Sequence, residues 1–204
     1  MMFGHSILSF SRMLWLAVFL YHAISPVRAN RDPDPLVSQT LENTLQALLN
    51  QKSQRIPFLE SRSIKSLKEP MKSRGYLEFF PPDTLIKTVE SPSPVTYPLS
   101  SREIRLTDGG TGESHSLRPD DIPELAYLGS SLTHLLTGDK EGLLSRWHVT
   151  VGGTNRRWRM TLIPREKDAS GLRIVEIAGK EGVLVKLHVE ALDGSISDLS
   201  LGIQ

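Results

Sequence analysis

Cysteine is absent from this sequence of 204 residues. Its absence excludes disulfide bonds, thiolate nucleophiles, zinc sites built on thiolates and the attachment of a lipid to an N-terminal cysteine. The Asn-x-Ser/Thr sequon that accepts N-linked glycans is absent as well. A folded domain must therefore be held together by its core alone. In an exported chain, these two absences would be more typical of a bacterial periplasmic protein than of a eukaryotic secreted one.

The sequence also lacks an excess of charge of either sign. Its 24 basic and 23 acidic residues nearly balance, and Lys and Arg are interspersed with Asp and Glu along the chain. A domain that follows a phosphate backbone would need a concentrated basic stripe. The composition therefore argues against a nucleic-acid partner.

No catalytic, cofactor or metal motif is recognisable in the sequence. The glycine-rich stretch 109–112 leads into a strand pattern without the Lys-Ser/Thr of a phosphate loop, so we interpret it as a hairpin turn. The stretch 112–116 lacks the second glycine of a serine-nucleophile elbow. The histidines of residues 30–204 do not have the spacing of metal-binding pairs; they are His115, His134, His148 and His188.

These absences predict no enzyme, no cofactor and no bound metal ion. An enzymatic interpretation would need two titratable groups within hydrogen-bonding reach of each other inside a pocket.

The N-terminal residues have the features of a secretory signal. Arg12 precedes the apolar run 13–20, and Pro26 is followed by the small-residue site 27–29. We expect cleavage after Ala29, which divides the chain into a signal peptide and a working domain in the periplasm.

An uncleaved membrane anchor is the alternative, because the stretch 7–24 is close to the length that spans a bilayer. Arg12 and His22 interrupt that stretch, which favours removal. We therefore assign residues 1–29 to the signal and residues 30–204 to a single domain.

The period of the apolar residues predicts the elements of this domain. Spacings of three and four predict a helix over 36–50, a second from Asp120-Asp121 to Gly138 and a shorter third over 139–145. Short apolar runs bounded by Gly, Pro, Asn and Asp predict strands. The predicted strands cover residues 58–66, 73–80, 84–90, 95–99, 103–107, 113–117, 147–151, 157–163, 172–178, 183–190 and 195–203.

The strand patterns predict one face of the sheet that is apolar and one that is wet. Val183, Val185, Leu187 and Val189 alternate with polar residues, and the Asp-Gly at 193–194 favours a type I′ hairpin. Since about eleven antiparallel strands cannot stay flat, accumulated twist should curl the sheet. The predicted fold class is α+β, mostly β, with a curved, unclosed antiparallel β-barrel of about 11 strands and helices covering its open concave face.

The apolar residues of the concave face and of the second helix are the candidate ligand-binding residues. For any single one of them, ordinary core packing is the simpler interpretation. As a set they can line a pocket, because a barrel of this circumference is wider than its side chains fill. The candidates are Phe79, Ile104, Leu106, Leu125, Leu128, Leu132, Trp158, Met160, Leu162 and Leu187.

Several short motifs follow one another in a specific order along the domain. They are Phe-Leu-Glu-Ser-Arg at 58–62, Leu-Lys-Glu-Pro at 67–70, Ser-Arg-Gly-Tyr-Leu at 73–77, Pro-Asp-Thr-Leu at 82–85, Trp-Arg-Met-Thr-Leu-Ile-Pro-Arg at 158–165 and Asp-Gly at 193–194. In their order and spacing, over residues 36–203, they resemble the LolA-related branch of the outer-membrane lipoprotein carrier family. The resemblance implies an eleven-stranded unclosed barrel whose helical lid covers an apolar cavity for an acyl chain.

The function that this resemblance implies is that of a periplasmic carrier without cofactors. It would take an acylated lipid or lipoprotein from an inner-membrane donor towards an outer-membrane acceptor, as a monomer. Carriers of this family place an arginine before a proline in the stretch that corresponds to 79–82, and this chain has Phe80 there, so a glycolipid or polyene-type lipid remains an alternative cargo. The alternative function is a scaffold or assembly subunit of the cell envelope whose core is simply filled.

Overall fold

A computed structural model describes residues 35–49, 55–82, 84–99, 104–118, 123–154 and 156–202. The predicted signal segment and the predicted capping pair Asp120-Asp121 lie outside these residues. The described residues belong to one compact unit, Pro33–Gln204.

The chain alternates between strands and helices as follows. The helices are α1 Pro35–Leu49, α2 Pro123–Thr137, α3 Lys140–Arg146 and α4 Lys167–Ser170. The strands are β1 Arg55–Ser63, β2 Met71–Phe80, β3 Thr84–Ser91, β4 Val95–Pro98, β5 Ile104–Asp108, β6 Ser114–Leu117, β7 Trp147–Thr154, β8 Arg157–Pro164, β9 Leu172–Lys180, β10 Val183–Ala191 and β11 Ile196–Leu201.

All eleven strands form a single antiparallel sheet in the order β6-β5-β4-β3-β2-β1-β11-β10-β9-β8-β7. Neighbours in the sheet are neighbours in sequence except at its centre, where β1 pairs with β11. Strands β6 and β7 are the two free edges, and α2 and α3 connect them. The predicted fold class, an unclosed barrel with a helical insertion between two sets of strands, is confirmed.

Of two tight turns of the sheet, one differs from the expectation. Glu181 and Gly182 both have positive φ, 52° and 79°, and join β9 to β10 in the geometry of a type I′ turn. The prediction of that turn type at Asp193-Gly194 is wrong, since only Gly194 has a positive φ. There the loop has three residues, and the Ala191 N–H donates to the Ser195 carbonyl at 3.0 Å. A left-handed glycine at the end of a three-residue loop is the next most common hairpin geometry.

A β-bulge in β10 corrects the predicted facing of that strand. The pairing with β9 shifts between Leu184 and Lys186, so one extra residue is accommodated there. As a result Leu184 is buried and Val185 is 37% exposed, whereas Leu187 and Val189 point into the core. The predicted inward position of Val185 is therefore wrong, because a shift of one residue reverses the side-chain phase.

The helices cover the concave face through apolar side chains. Leu41, Leu45 and Leu48 of α1 are buried, as are Leu132 and Leu135 of α2. Burying each of these side chains contributes about 1.5–3 kcal/mol relative to leaving it exposed. The helices are thus part of the core and not a loose cover.

Specific contacts fix α2 to the rest of the domain. Gly129 faces the Leu99 backbone so closely that a β-carbon there would lie 2.9 Å from the Leu99 carbonyl oxygen. The buried Trp147 indole N–H donates to Ser131 Oγ at 2.6 Å, and its ring meets that of Tyr127 edge to face with centroids 5.1 Å apart. These contacts hold the middle of α2 against the start of β7 and the end of β4.

Candidate functional site

A cavity of about 330 Å³ lies between the N-terminal half of α2 and the centre of the sheet. Its wall comes from the strands on both sides of the β1–β11 junction. The apolar residues of the wall are Leu77, Tyr97, Leu99, Leu125, Leu128, Leu172, Leu187, Val189, Ala191 and Leu199. The polar residues are Glu60, Arg62, Lys87, Glu124, Asp193, Ser195 and Ser197.

Helix α2 contributes to this cavity only through its N-terminal half. Leu125 and Leu128 line it and are half-buried, whereas Leu132 and Leu135, one and two turns further on, are buried in the core. The spacing of three to four residues puts all four on one face of the helix. The same apolar stripe therefore packs the core at one end and borders empty space at the other.

A buried ion pair forms the polar part of the wall. Lys87 Nζ lies 2.7 Å from Glu60 Oε2, and the two side chains are 11% and 10% exposed. Ser73 Oγ donates to the same carboxylate oxygen at 3.0 Å, and Ser197 Oγ donates to Oε1 at 2.5 Å. The Lys87 ammonium also lies 4.9 Å from the centroid of the Phe58 ring.

The partners of Glu60 keep its carboxylate ionised. Burial alone raises the pKa of Glu60, but the charge of Lys87 and the hydrogen bonds from Lys87, Ser197 and Ser73 outweigh it and leave that pKa below its usual value. A carboxylate with three donors satisfies the rule that a buried charge is paired and hydrogen-bonded.

The β10–β11 loop contributes a second polar part of the cavity wall, Asp193 and Ser195. The Asp193 carboxylate accepts a hydrogen bond from the Ser195 N–H at 2.7 Å. That bond is the main reason that the pKa of Asp193 is lowered, and the nearby charges of Arg62 and Lys65 act in the same direction. The end of β1 and this loop therefore meet at the edge of the cavity.

The structure distributes the ten candidate residues over different environments. Leu125, Leu128 and Leu187 line the cavity. Phe79 and Leu132 line a second, smaller cavity of about 50 Å³. The three candidates of β8 are in the packed core and the side chains of the two in β5 are outside the described residues; they are Trp158, Met160 and Leu162, and Ile104 and Leu106.

The sequence analysis did not single out Glu60 and Lys87. The sequence pattern that could have indicated Lys87 is the alternation of β3. Lys87 lies two residues from both Leu85 and Val89, so all three side chains are on the same, buried face of the strand. A lysine at such a position must find a partner when the strand is buried. Its partner on β1, however, is 27 residues away in sequence.

Among the described residues no cluster of three or more His, Cys, Asp or Glu side chains could hold a metal ion. The same part of the chain contains no helix of the length and hydropathy needed to cross a membrane.

A protein-family model described as "Outer membrane lipoprotein carrier protein LolA-like" matches residues 36–201. No curated protein matches the chain.

Solved structures with a similar arrangement share little sequence with the chain. A LolA superfamily protein from Nitrosomonas europaea is 8% identical, over 82% of this chain and 91% of that one, with a TM-score of 0.39. An outer membrane lipoprotein-sorting protein domain from Vibrio parahaemolyticus is 9% identical over 82% and 92%, with a TM-score of 0.42. LprF from Mycobacterium bovis is 11% identical over 84% and 95%, with a TM-score of 0.36.

Proposed function

Because the chain belongs to the LolA-like family of outer membrane lipoprotein carrier proteins, we propose that it carries the acyl chain of a lipid or lipoprotein in the cavity beneath α2. The observation that supports this most directly is a mostly apolar cavity of about 330 Å³, which is several times larger than the second cavity of about 50 Å³. Leu125 and Leu128 would cover the acyl chain, and Leu187 would contact it from the sheet.

The energetics of burial agree with a reversible carrier. Each methylene group taken out of water contributes about 0.8 kcal/mol, so one long acyl chain gains on the order of 10 kcal/mol before the costs of binding. The cavity lies at the lower end of the range of small-molecule pockets, about 300–1,000 Å³. We therefore propose that it accommodates one acyl chain at a time.

Release would require only the N-terminal half of α2 to move. Leu135 is fully buried and Ser131 is tied to Trp147, whereas Leu125 and Leu128 remain half-buried at the cavity. A tilt of the first two turns of α2 would open the cavity. It would break the contact of Tyr127 with Trp147 and separate Gly129 from Leu99, but it would leave the contacts of the C-terminal half in place.

The cellular setting of the proposal is the periplasm. The signal at residues 1–29 would export the protein, an inner-membrane donor would load it and an outer-membrane acceptor would receive the cargo. The carrier would act as a monomer, with a lipoprotein, a glycolipid or a polyene-type lipid as the candidate cargo classes.

Mass spectrometry of lipids extracted from the purified native protein tests the proposal. We expect about one acyl-bearing molecule per protein, which a fluorescent fatty acid displaces. If no stoichiometric lipid is retained and no fluorescent fatty acid binds, the function is that of a cell-envelope scaffold instead. A Leu59→Asp variant, changed at an outward-facing leucine that is 53% exposed, should retain as much lipid as the unchanged protein.

The Glu60–Lys87 pair also meets the geometric condition for catalysis, two titratable groups within hydrogen-bonding reach in a pocket. Its electrostatics favour a structural role, since an effective general base has a pKa near the working pH and the pKa of Glu60 is lowered. We propose that the pair is not catalytic. Recovery of intact lipid after prolonged incubation with the protein would support this, and conversion that Glu60→Gln abolishes would contradict it.

A further inference from the structure

The hairpin at residues 62–74 concentrates positive charge in a protein whose other basic and acidic residues nearly balance. It contains one acidic residue, Glu69, and five basic ones: Arg62, Lys65, Lys68, Lys72 and Arg74. Its net charge is thus +4, whereas the whole chain has a net charge of +1. All five basic residues are exposed, and within the described residues none of them is in a salt bridge. We call residues 62–74 the basic hairpin.

Large apolar side chains are exposed among these charges. Leu67 is 45% exposed and Met71 is 51% exposed. Leu192, on the neighbouring β10–β11 loop, is 39% exposed. The two loops touch, because the side chain of Lys65 lies against Gly194. Exposed apolar residues therefore share one end of the sheet with cations that form no salt bridge among the described residues, although Arg62 and Lys65 lie near Asp193.

This end of the sheet is also an edge of the cavity. Arg62 belongs both to the basic hairpin and to the cavity wall, and Asp193 of the adjacent loop lines the cavity beside it. A surface bound by the basic hairpin would therefore lie next to the cavity.

We propose that the basic hairpin docks the protein onto membranes that contain anionic lipid, with Leu67 and Met71 entering the interface between headgroups and acyl chains. Lysine and arginine side chains near such a surface are attracted by its negative potential, and neighbouring apolar side chains add burial. Because long cationic side chains can keep their charge at headgroup level while their stems lie on apolar surface, both kinds of residue can act together. This docking goes beyond the proposed cargo binding, since it would occur whether the cavity is filled or empty.

The test must measure the attraction between the basic hairpin and a charged membrane separately from cargo binding. Vesicles of phosphatidylcholine alone are compared with vesicles that contain phosphatidylglycerol, in a flotation assay at low and at high salt. Because a retained signal segment would bind every bilayer, the readout is the difference between the two kinds of vesicle. We expect binding to the anionic vesicles that falls steeply with salt, since exposed charges are screened beyond about 10 Å at 0.1 M ionic strength.

Charge reversal identifies the surface that binds. Replacing Lys65, Lys68 and Lys72 together by Glu should weaken the binding to anionic vesicles at least about 100-fold, because each basic residue near the surface contributes roughly 5-fold. The matched control reverses three exposed basic residues of β8 and β9, namely Arg157, Arg159 and Arg173. Both variants must unfold cooperatively at a temperature close to that of the unchanged protein.

A second pair of variants tests the apolar part. Replacing Leu67 and Met71 by Ser should weaken binding about 10-fold or more, whereas replacing Ile163 and Val185, which are exposed on β8 and β10, by Ser should not. Equal losses from both charge-reversed variants, or equal binding to both kinds of vesicle, would overturn the proposal. Binding of polyglutamate by the basic hairpin without binding of anionic vesicles would also overturn it, and would assign the surface to an acidic protein.

Discussion

The ammonium of Lys87 on β3 and the carboxylate of Glu60 on β1 are joined at 2.7 Å across the intervening strand β2, in the wall of a cavity that most of its lining residues make apolar. Ser73 of the intervening strand and Ser197 of β11 complete the hydrogen bonding of the carboxylate. Four strands around the centre of the sheet therefore contribute to a single polar cluster. The cost of burying such a pair is offset only while all of its members are present.

Removing one member of the pair should destabilise the protein more than removing both. Lys87→Met leaves a buried carboxylate without its countercharge and should lower the free energy of unfolding by about 3–5 kcal/mol. The double variant Glu60→Gln/Lys87→Met should lie within about 1 kcal/mol of the unchanged protein, since the amide oxygen can accept from one serine and the amide NH2 group can donate to the hydroxyl of the other. Urea denaturation of the four proteins of the cycle measures this.

The control for that cycle is the more exposed pair Lys140–Glu42, whose charged atoms are 3.0 Å apart. The same change, Lys140→Met, should alter the free energy of unfolding by less than about 1 kcal/mol. A Lys87→Met effect as small as this would mean that the buried pair does not stabilise the sheet.

A charge placed under α2 should impair cargo binding. Leu128→Asp introduces a carboxylate that an entering acyl chain must desolvate, so the affinity for a fluorescent fatty acid should fall at least about 10-fold. Leu59→Asp introduces the same side chain at an exposed position and should leave the affinity unchanged. Fluorescence titration measures both, and equal affinities of the two variants would count against the cavity as the binding site.

His188 lies on the face of the sheet away from the cavity. It should make the free energy of unfolding depend on pH. Its Nδ1 lies 2.9 Å from Asp198 Oδ1 and its Nε2 lies 3.3 Å from Glu190 Oε1. Burial lowers the pKa of His188, but the hydrogen bonds and charges of Asp198 and Glu190 outweigh it and raise the pKa above its usual 6.5. Lys186 shares Asp198, at 3.2 Å.

Since the pKa of His188 is higher in the folded than in the unfolded protein, its contribution is complete below about pH 6.5 and is lost as the pH rises through the folded value. His188→Gln should therefore reduce the free energy of unfolding at pH 5.5 and do so less at pH 9. His148→Gln, at an exposed position of β7, controls for the loss of an imidazole. If the loss of unfolding free energy caused by His188→Gln grew with pH, the pKa of His188 would not be raised by folding.

Gly179 is required by the position of the Trp158 ring. The two residues face each other in the β8–β9 pairing, and a β-carbon on Gly179 would overlap the indole. Gly179→Ala should therefore cost about 1–3 kcal/mol of the free energy of unfolding, because the indole must shift within a packed core. Gly152→Ala, at a strand glycine with no atom within 4 Å of the new carbon, should change it by less than about 0.5 kcal/mol. Thermal unfolding compares the two variants.

Much of the fold follows from local patterns in the sequence. The alternation of Trp158, Met160 and Leu162 with polar residues correctly predicts the buried face of β8, and the hairpin interpretation of 109–112 is confirmed by the turn that Asp108 stabilises. Such features depend on a few neighbouring residues, whose conformational preferences are the same in any fold. The bulge at Val185 has no comparable local signal, because the partner strand decides where the extra residue is accommodated.

The amino-acid sequence alone determined the order of strands and helices, the apolar face of most of them and the absence of cysteine chemistry. Only the tertiary structure decided that Leu128 borders empty space while Met160 is packed, and that Glu60 meets Lys87. The physical reason is that a cavity is the difference between the volume that a curved sheet encloses and the volume of the side chains within it. The curvature depends on all eleven strands at once, so no segment of the sequence contains that difference.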